Sequence, residues 1–132
     1  MTRELFWLTL TVIFTGLLWV PYVLNRILVR GLSGAMANPS RTDKPLADWA
    51  NRLLFAHDNA VENLIVFAPL VLILNAADIS TPTTVLACAV YFWSRVVHLI
   101  VYTLGLPIFR TAAFLVGFAA QVVLAVAILK LA

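Results

Sequence analysis

The sequence predicts an all-α integral membrane protein, a four-helix bundle whose helices each cross the bilayer. Of the 132 residues, 63% are hydrophobic and 11% are charged, whereas soluble domains average about 25% charged residues. Residues 5–24 contain no charge, and about 20 apolar residues of helix span the hydrocarbon core. Since no small-residue cleavage site and soluble chain follow it, we expect this segment to be a retained span rather than a signal peptide.

Turn-forming residues set the bounds of the first two helices. We predict the first over about 3–28, with a kink at Pro21. The segment 31–45 is rich in glycine, proline and serine and is expected to be a long loop. The second helix is predicted over about 46–77, with Asp48 near the positive end of its dipole.

The last two helices are separated by glycine and proline. A serine or threonine before Pro82 is expected to cap the third helix, over about 82–104. Gly105 ends that helix and Pro107 begins the fourth, over about 107–130. We find no internal repeat, and the four helices are expected to form one domain.

The distribution of lysine and arginine predicts the topology. Cytoplasmic loops are enriched in these residues. The side with the first and third loops carries Arg26, Arg30, Arg41, Lys44, Arg52 and Arg110, and the other side carries Arg3 and Lys130. Both termini are therefore expected outside, and a site near the six residues would open toward the cytoplasm. We attribute the net charge of +3 to topology and expect no nucleic-acid partner.

Polar residues within the spans fall on one side of each helix. At about 100° per residue, most polar residues of the second helix lie within about 140°, and His57 lies opposite; the polar set is Asn51, Arg52, Asp58, Asn59, Glu62 and Asn63. The corresponding face of the third helix holds Tyr91, Arg95, His98 and Tyr102. That of the fourth holds Arg110, Phe114, Gly117 and Gln121. Unpaired polar groups are costly in hydrocarbon, so these faces are expected to meet.

The segment RLLFAHDNAVEN, residues 52–63, is the most informative part of the sequence. The 14-residue, largely apolar segment after it is too short to cross a bilayer alone, so Asn59 or Glu62 must lie at membrane depth. An ionisable group there is costly and indicates a functional site. The structural alternatives are that Asn59 and Asn63 join helices and that Arg95 and Glu62 form a structural ion pair.

These side chains suit one class of ligand. Guanidinium groups pair with carboxylates, and a carboxylate pairs with an ammonium, so the set is compatible with glutathione. Arg110 lies in the first turn of a helix, where a cation opposes the dipole, which favours a functional role. A nearby cation also favours the reactive thiolate. The single Cys88 permits neither an intrachain disulfide nor a cysteine zinc site, and no metal is expected.

The chain resembles the membrane-associated proteins in eicosanoid and glutathione metabolism, the MAPEG family, over nearly its whole length. The resemblance rests on three blocks: R52-x4-H57-x-N59-x2-E62-N63, R95-x2-H98-x3-Y102, and P107-x2-R110. The first block is similar to the A-H-x-N-x2-E-N segment of microsomal glutathione transferases. The resemblance implies a homotrimer that binds glutathione between subunits near the cytoplasmic face, and we expect a bacterial inner-membrane member.

The resemblance also implies roles for single residues. Arg110 would stabilise the glutathione thiolate. Glutathione contacts are implied for Arg52, Asn59, Glu62, Arg95, His98 and Tyr102, and further candidates are Arg30, His57, Asn63 and Gln121. The implied activity is glutathione transfer or glutathione-dependent peroxide reduction on a lipophilic substrate that arrives from the bilayer.

One position departs from the family pattern and leaves an alternative open. Glutathione-using members often have an arginine immediately before the Ala-His pair, and Phe55 stands there in this chain. The alternative is a noncatalytic lipid- or amphiphile-binding scaffold, as the family also contains. A proton-coupled exporter is disfavoured because the first span has no acid after Glu4.

Overall fold

The computed structural model describes residues 1–131, and this part of the chain forms five helices. They are α1 (Arg3–Leu17), α2 (Trp19–Met36), α3 (Asp48–Ala76), α4 (Pro82–Thr103) and α5 (Pro107–Leu131). Four segments are long and apolar enough to cross a membrane, namely Arg3–Met36, Asp48–Ala76, Pro82–Thr103 and Pro107–Lys130. The prediction of an all-helical fold with four candidate spans is therefore confirmed.

The first span differs from its prediction in where it breaks and where it ends. α1 and α2 are separated at Leu18, three residues before the expected kink, and the Leu18 amide donates to the Thr15 carbonyl at 3.3 Å. Pro21 has no N–H for the carbonyl one turn earlier, so the irregularity lies on its N-terminal side. The helix also extends past residue 28, changes direction at Gly31 (φ +72°) and ends only at Met36. The prediction of a loop over 31–45 is therefore wrong for residues 31–36, which belong to α2.

The first loop is tied back to the helices beside it. Arg30 forms an ion pair with Asp43 at 3.2 Å, and its Nε donates to the Lys44 carbonyl at 2.7 Å. The buried Asn25 accepts a hydrogen bond from the Ala47 amide at 3.0 Å, just before α3 begins. These contacts fix the approach of the chain to α3 and give Arg30 a structural role in the loop.

α4 is delimited by strong local signals at both ends. Thr81 is its N-cap and forms a capping box with Thr84, in which each side chain accepts from the other residue's backbone amide. Such boxes satisfy amides that the first helical turn leaves without partners. At the other end, Gly105 adopts φ +76°, a left-handed conformation in which a residue without Cβ is favoured.

The core lies where α1, α3, α4 and α5 pack together. Phe67 of α3 stacks on Tyr91 of α4 with ring centroids 3.8 Å apart. Leu74, Leu124 and the single cysteine, Cys88, are fully buried in the same cluster. Many large apolar side chains outside this core are exposed, including Ile65, Leu86 and Leu115. An apolar exterior is expected for a bundle whose surroundings are lipid rather than water.

The buried carboxylate of Glu4 joins the start of α1 to the start of α4. Glu4 is 2% exposed. Its Oε1 accepts a hydrogen bond from Thr84 Oγ1 at 2.6 Å, and both carboxylate oxygens lie 3.0–3.1 Å from Ser80 Oγ. No sequence motif predicts a role for Glu4, which lies at the start of the first span. Its burial is a tertiary effect, because both hydroxyl partners lie about 80 residues further along the chain.

We expect Glu4→Ala to lower the free energy of unfolding by about 1–3 kcal/mol, because the buried Thr84 hydroxyl and the Ser80 hydroxyl lose their acceptor. Thermal unfolding of the purified protein in detergent measures the effect. The neighbouring Arg3 is exposed, so Arg3→Ala is the matched control and should change stability by less than about 0.5 kcal/mol. Equal melting temperatures for the two variants would contradict the assigned contact.

Candidate functional site

A hydrogen bond between Asn59 and Arg95 joins α3 to α4. Arg95 Nη1 donates to Asn59 Oδ1 at 3.1 Å. Asn63 lies one turn after Asn59 on α3, and its side chain donates to the Asn59 carbonyl at 2.8 Å. Two residues of the first sequence block and one of the second are therefore in direct contact. The expectation that the polar faces of these two helices meet is supported at this point.

The Arg95 guanidinium is buried and incompletely hydrogen-bonded. The residue is 3% exposed, and Nε and Nη2 have no hydrogen-bond partner among residues 1–131. Its Cζ lies 5.8 Å from the centre of the Tyr91 ring and 5.7 Å from that of Phe114. Aromatic faces attract cations, but the described chain provides no carboxylate within ion-pair distance of Arg95. The site is therefore electropositive.

A second guanidinium lies one helix further along. Arg110 is in the first turn of α5, and its Cζ lies 4.5 Å from the centre of the Tyr102 ring. The His98 ring is buried and meets Tyr102 edge-on at 5.5 Å between centroids. Arg110 lies where the dipole of α5 disfavours a cation. It also makes a favourable cation–π contact with Tyr102 of α4.

These residues surround a cleft of about 250 Å³ between α3, α4 and α5. Its lining consists of Asn59, His98, Tyr102, Arg110, Thr111 and Phe114. Arg95 lies behind the cleft, with its Nη1 on Asn59. Hydrogen-bonding groups and guanidinium groups thus converge at one end of the bundle, and this arrangement could bind an anionic molecule with several polar groups.

A second polar layer lies next to the cleft in the bundle interior. Gln121 of α5 is 5% exposed, and its Nε2 donates to the Asn63 carbonyl at 3.1 Å. The Tyr91 hydroxyl is also buried, without a hydrogen-bond partner among the described residues. Asn63 and Gln121 were predicted as further ligand candidates. In the structure they join α3 to α5 and do not line the cleft.

Four other predicted site residues also lie away from the cleft lining. Glu62 is exposed on the outer surface of the chain. Arg52 Nε donates to the Thr103 carbonyl at 2.8 Å, and His57 Nδ1 lies 2.9 Å from the Tyr22 hydroxyl. Arg30 is engaged with Asp43, as described above. Glu62 and Arg95 do not pair within one chain, so the structural ion pair considered for them is not formed there.

The single polar stripe predicted for α3 divides into two parts. Asn59 and Asn63 are half-buried, whereas Asn51, Asp58 and Glu62 are exposed. The stripe is about 140° wide, whereas the side of a helix that packs against one core is roughly 100° wide. Part of it must therefore face outward, and helical periodicity alone could not predict which part.

Sequence reasoning missed Thr111, whereas it placed Gly117 on the helix face that also holds Arg110. Thr111 lines the cleft next to Arg110, and no motif distinguishes it from other exposed threonines. A Cβ at Gly117 would lie 2.7 Å from Ser94 Oγ and 3.4 Å from Arg95 Nε. Gly117 therefore lets α5 approach α4 beside the buried guanidinium. Its i+7 spacing from Arg110 was the signal available in the sequence.

A comparison with protein families agrees with the residue pattern. The family model described as "MAPEG family" matches residues 5–130 of the chain. The chain belongs to the MAPEG family. The resemblance predicted from the three sequence blocks is confirmed, and with it a multi-pass membrane protein of the four-helix class. No curated protein and no solved structure matches the chain.

We expect Gly117→Ala to destabilise this MAPEG protein by about 1–3 kcal/mol, since α5 must shift away from Ser94 and Arg95. Gly16→Ala is the matched control, because Gly16 is also helical and its added Cβ would meet nothing within 4 Å. Replacing a helical glycine without a clash is neutral or stabilising by up to about 1 kcal/mol. Thermal unfolding of both variants measures the difference, and equal destabilisation would contradict the close approach at Gly117.

Proposed function

We propose that the protein is a membrane-bound glutathione transferase or glutathione-dependent peroxidase that acts on lipophilic substrates. The observation that carries the proposal is the convergence of Asn59, His98, Tyr102 and Arg110 on one cleft, with the Arg95 guanidinium behind it. The family match to residues 5–130 supports the same class of function. No metal enters the proposal.

The positive charge of the cleft matches the anionic groups of the ligand. Glutathione carries two carboxylates, one ammonium and a thiol, and its reactive form has a thiolate. Arg95 and Arg110 provide guanidinium groups, and no carboxylate is among the residues that line the cleft. Asn59, His98 and Tyr102 provide polar groups for the peptide part. Guanidinium–anion hydrogen bonds are about twice as strong as neutral ones, so Arg110, the arginine that lines the cleft, would contribute most to the affinity.

Arg110 is assigned the catalytic role. Its guanidinium would donate a charge-assisted hydrogen bond to the glutathione sulfur and hold it as the thiolate. In the transferase reaction, the sulfur forms a bond to an electrophilic carbon, and the leaving group departs with its electron pair. In the peroxidase reaction, the sulfur attacks the terminal oxygen of a hydroperoxide and becomes a sulfenic acid as the O–O bond breaks, and the departing alkoxide takes a proton from water to leave as an alcohol. A second glutathione then displaces hydroxide from the sulfenic acid and forms the disulfide.

A neighbouring copy would complete the site. The cleft of about 250 Å³ in one chain is smaller than the roughly 300–1,000 Å³ of typical ligand pockets. Glu62 is among the implied glutathione contacts, and its carboxylate would pair with the ammonium; it is exposed on the surface of the chain. We therefore propose a homotrimer in which glutathione lies between subunits, as the sequence resemblance implies. The count of basic residues supports a site that opens toward the cytoplasm and termini on the outside.

We expect Arg110→Ala to reduce kcat for conjugation of glutathione to a model electrophile by about 100-fold, because the thiolate loses its donor. The purified protein in detergent is assayed at saturating glutathione. Arg41→Ala removes a cation from the exposed first loop and should leave the rate unchanged. Turnover by Arg110→Ala equal to that of the wild type would overturn the catalytic assignment.

Phe55 favours a second candidate function, a noncatalytic binder of lipids or other amphiphiles. Phe55 is 50% exposed, and it occupies the position where glutathione-using relatives often have an arginine. It lies one turn before Asn59 on α3. An apolar side chain there would favour an amphiphile over a tripeptide with two carboxylates.

Calorimetry with glutathione separates the two candidates. We expect binding with a Kd of about 1 mM or tighter. Phe55→Arg should tighten it by about tenfold, since it adds a charged donor one turn from Asn59. Phe6→Arg, at an exposed phenylalanine of α1, is the control and should have no effect. No heat of binding at about 10 mM glutathione, roughly ten times that Kd, would favour the noncatalytic function.

A further inference from the structure

The α4–α5 corner, residues 104–106, connects the two halves of the cleft. Tyr102 lies two residues before it and Arg110 four residues after it, and the Arg110 guanidinium covers the Tyr102 ring. Any change in the direction of this corner would move Arg110 relative to α4. What fixes the corner therefore also fixes the cleft.

Backbone amides satisfy three of the last four carbonyls of α4. Leu104 donates to Ile100 at 3.0 Å, Gly105 donates to Tyr102 at 3.0 Å, and Leu106 donates to Val101 at 2.9 Å. The fourth carbonyl, that of Thr103, has no backbone donor in the described part of the chain. The sequence explains this, because the residue four positions after Thr103 is Pro107, which has no N–H.

Arg52 provides the donor that Pro107 lacks. Its Nε donates to the Thr103 carbonyl at 2.8 Å. The position of a Cβ on Gly105 would lie 3.4–3.6 Å from Nε, Cζ and Cδ of Arg52, so this side chain lies directly against the corner. A cation at a helix C-terminus also interacts favourably with the helix dipole. The contact satisfies a carbonyl and places positive charge where α4 is negative.

The same contact is one of two polar connections between α3 and α4. Asn59 accepts from Arg95, and Arg52, two turns earlier on α3, reaches Thr103, two turns later on α4. The two connections are about 10–12 Å apart along the antiparallel helices, at 1.5 Å per residue. Together they fix the α4 segment that carries His98 and Tyr102.

We infer that Arg52 is a positioning residue that holds the α4–α5 corner through the Thr103 carbonyl and thereby holds Arg110 over Tyr102. The sequence resemblance implied a glutathione contact for Arg52, and the structure gives its Nε a different partner. The catalytic consequence of the inference rests on the proposed function. The bracing of the corner does not.

Hydrogen exchange measured by mass spectrometry tests the bracing independently of activity. In Arg52→Gln, the amides of residues 104–106 should exchange about tenfold faster than in the wild type, because the corner opens more often. Arg52→Lys retains a cationic donor and should restore part of the protection. Arg41→Gln, in the exposed first loop, is the control and should leave the corner unchanged. Wild-type exchange at the corner in Arg52→Gln would overturn the inference.

Kinetics and calorimetry test the consequence for Arg110. Arg52→Gln should lower kcat about tenfold while the glutathione Kd changes less than about twofold, since a positioning residue does not touch the ligand. A tenfold weaker Kd with unchanged corner exchange would show that Arg52 is a ligand and would overturn the inference. If the wild type binds no glutathione, the proposed function fails, and the exchange result still decides whether Arg52 braces the corner.

Gly105→Ala disturbs the same corner without removing the Arg52 charge. Gly105 adopts φ +76°, where any residue with a Cβ is strained, while the space beside Arg52 permits ordinary contact. We expect faster corner exchange and lower kcat with unchanged glutathione affinity, as for Arg52→Gln. Faster exchange with wild-type turnover would show that the corner does not position Arg110, and would overturn that part of the inference.

Discussion

The buried Arg95 guanidinium is the constraint on which the arrangement of α3, α4 and α5 depends. A cation inside a membrane bundle must find polar or aromatic groups within the protein, because lipid offers none. Asn59 of α3 supplies an acceptor, Tyr91 and Phe114 supply aromatic faces, and Gly117 allows α5 to approach. These contacts fix the relative positions of the three helices around a positive charge. The cleft lies where polar side chains of the three helices face one another.

The bundle has a buried carboxylate near one end and a pair of guanidinium groups toward the other. The Glu4 carboxylate is bound by Thr84 at the start of α4, and Arg110 covers Tyr102 near the end of α4. From Thr84 to Tyr102 a helix rises about 27 Å, close to the roughly 30 Å of the hydrocarbon core. One polar cluster therefore lies near each boundary of the apolar zone. The acidic cluster is closed by hydroxyls, and the basic cluster opens into the cleft.

The features of the structure that depend on nearby residues could be predicted from sequence, and those that depend on distant residues could not. The start of α4 at Pro82 and its end before Gly105 followed from backbone effects that need no tertiary information. Pro21 indicated a kink, but the break is at Leu18, on the side of the unbonded carbonyl. The burial of Glu4 and the exposure of Glu62 could not be predicted, because the partners that bury a helix face come from distant parts of the chain. For the cleft, spacing identified the residue types, and packing selected which of them converge.

The burial of Cys88 has a practical consequence. It is the single cysteine of the sequence and is fully enclosed in the core cluster with Phe67 and Tyr91. A folded chain therefore presents no accessible thiol to alkylating reagents, and modification of Cys88 requires the helices to separate. The protein thus contains a built-in reporter of bundle opening. The same property makes it a suitable background for site-directed labelling, since a spin label or fluorophore would attach only to a cysteine introduced at the surface.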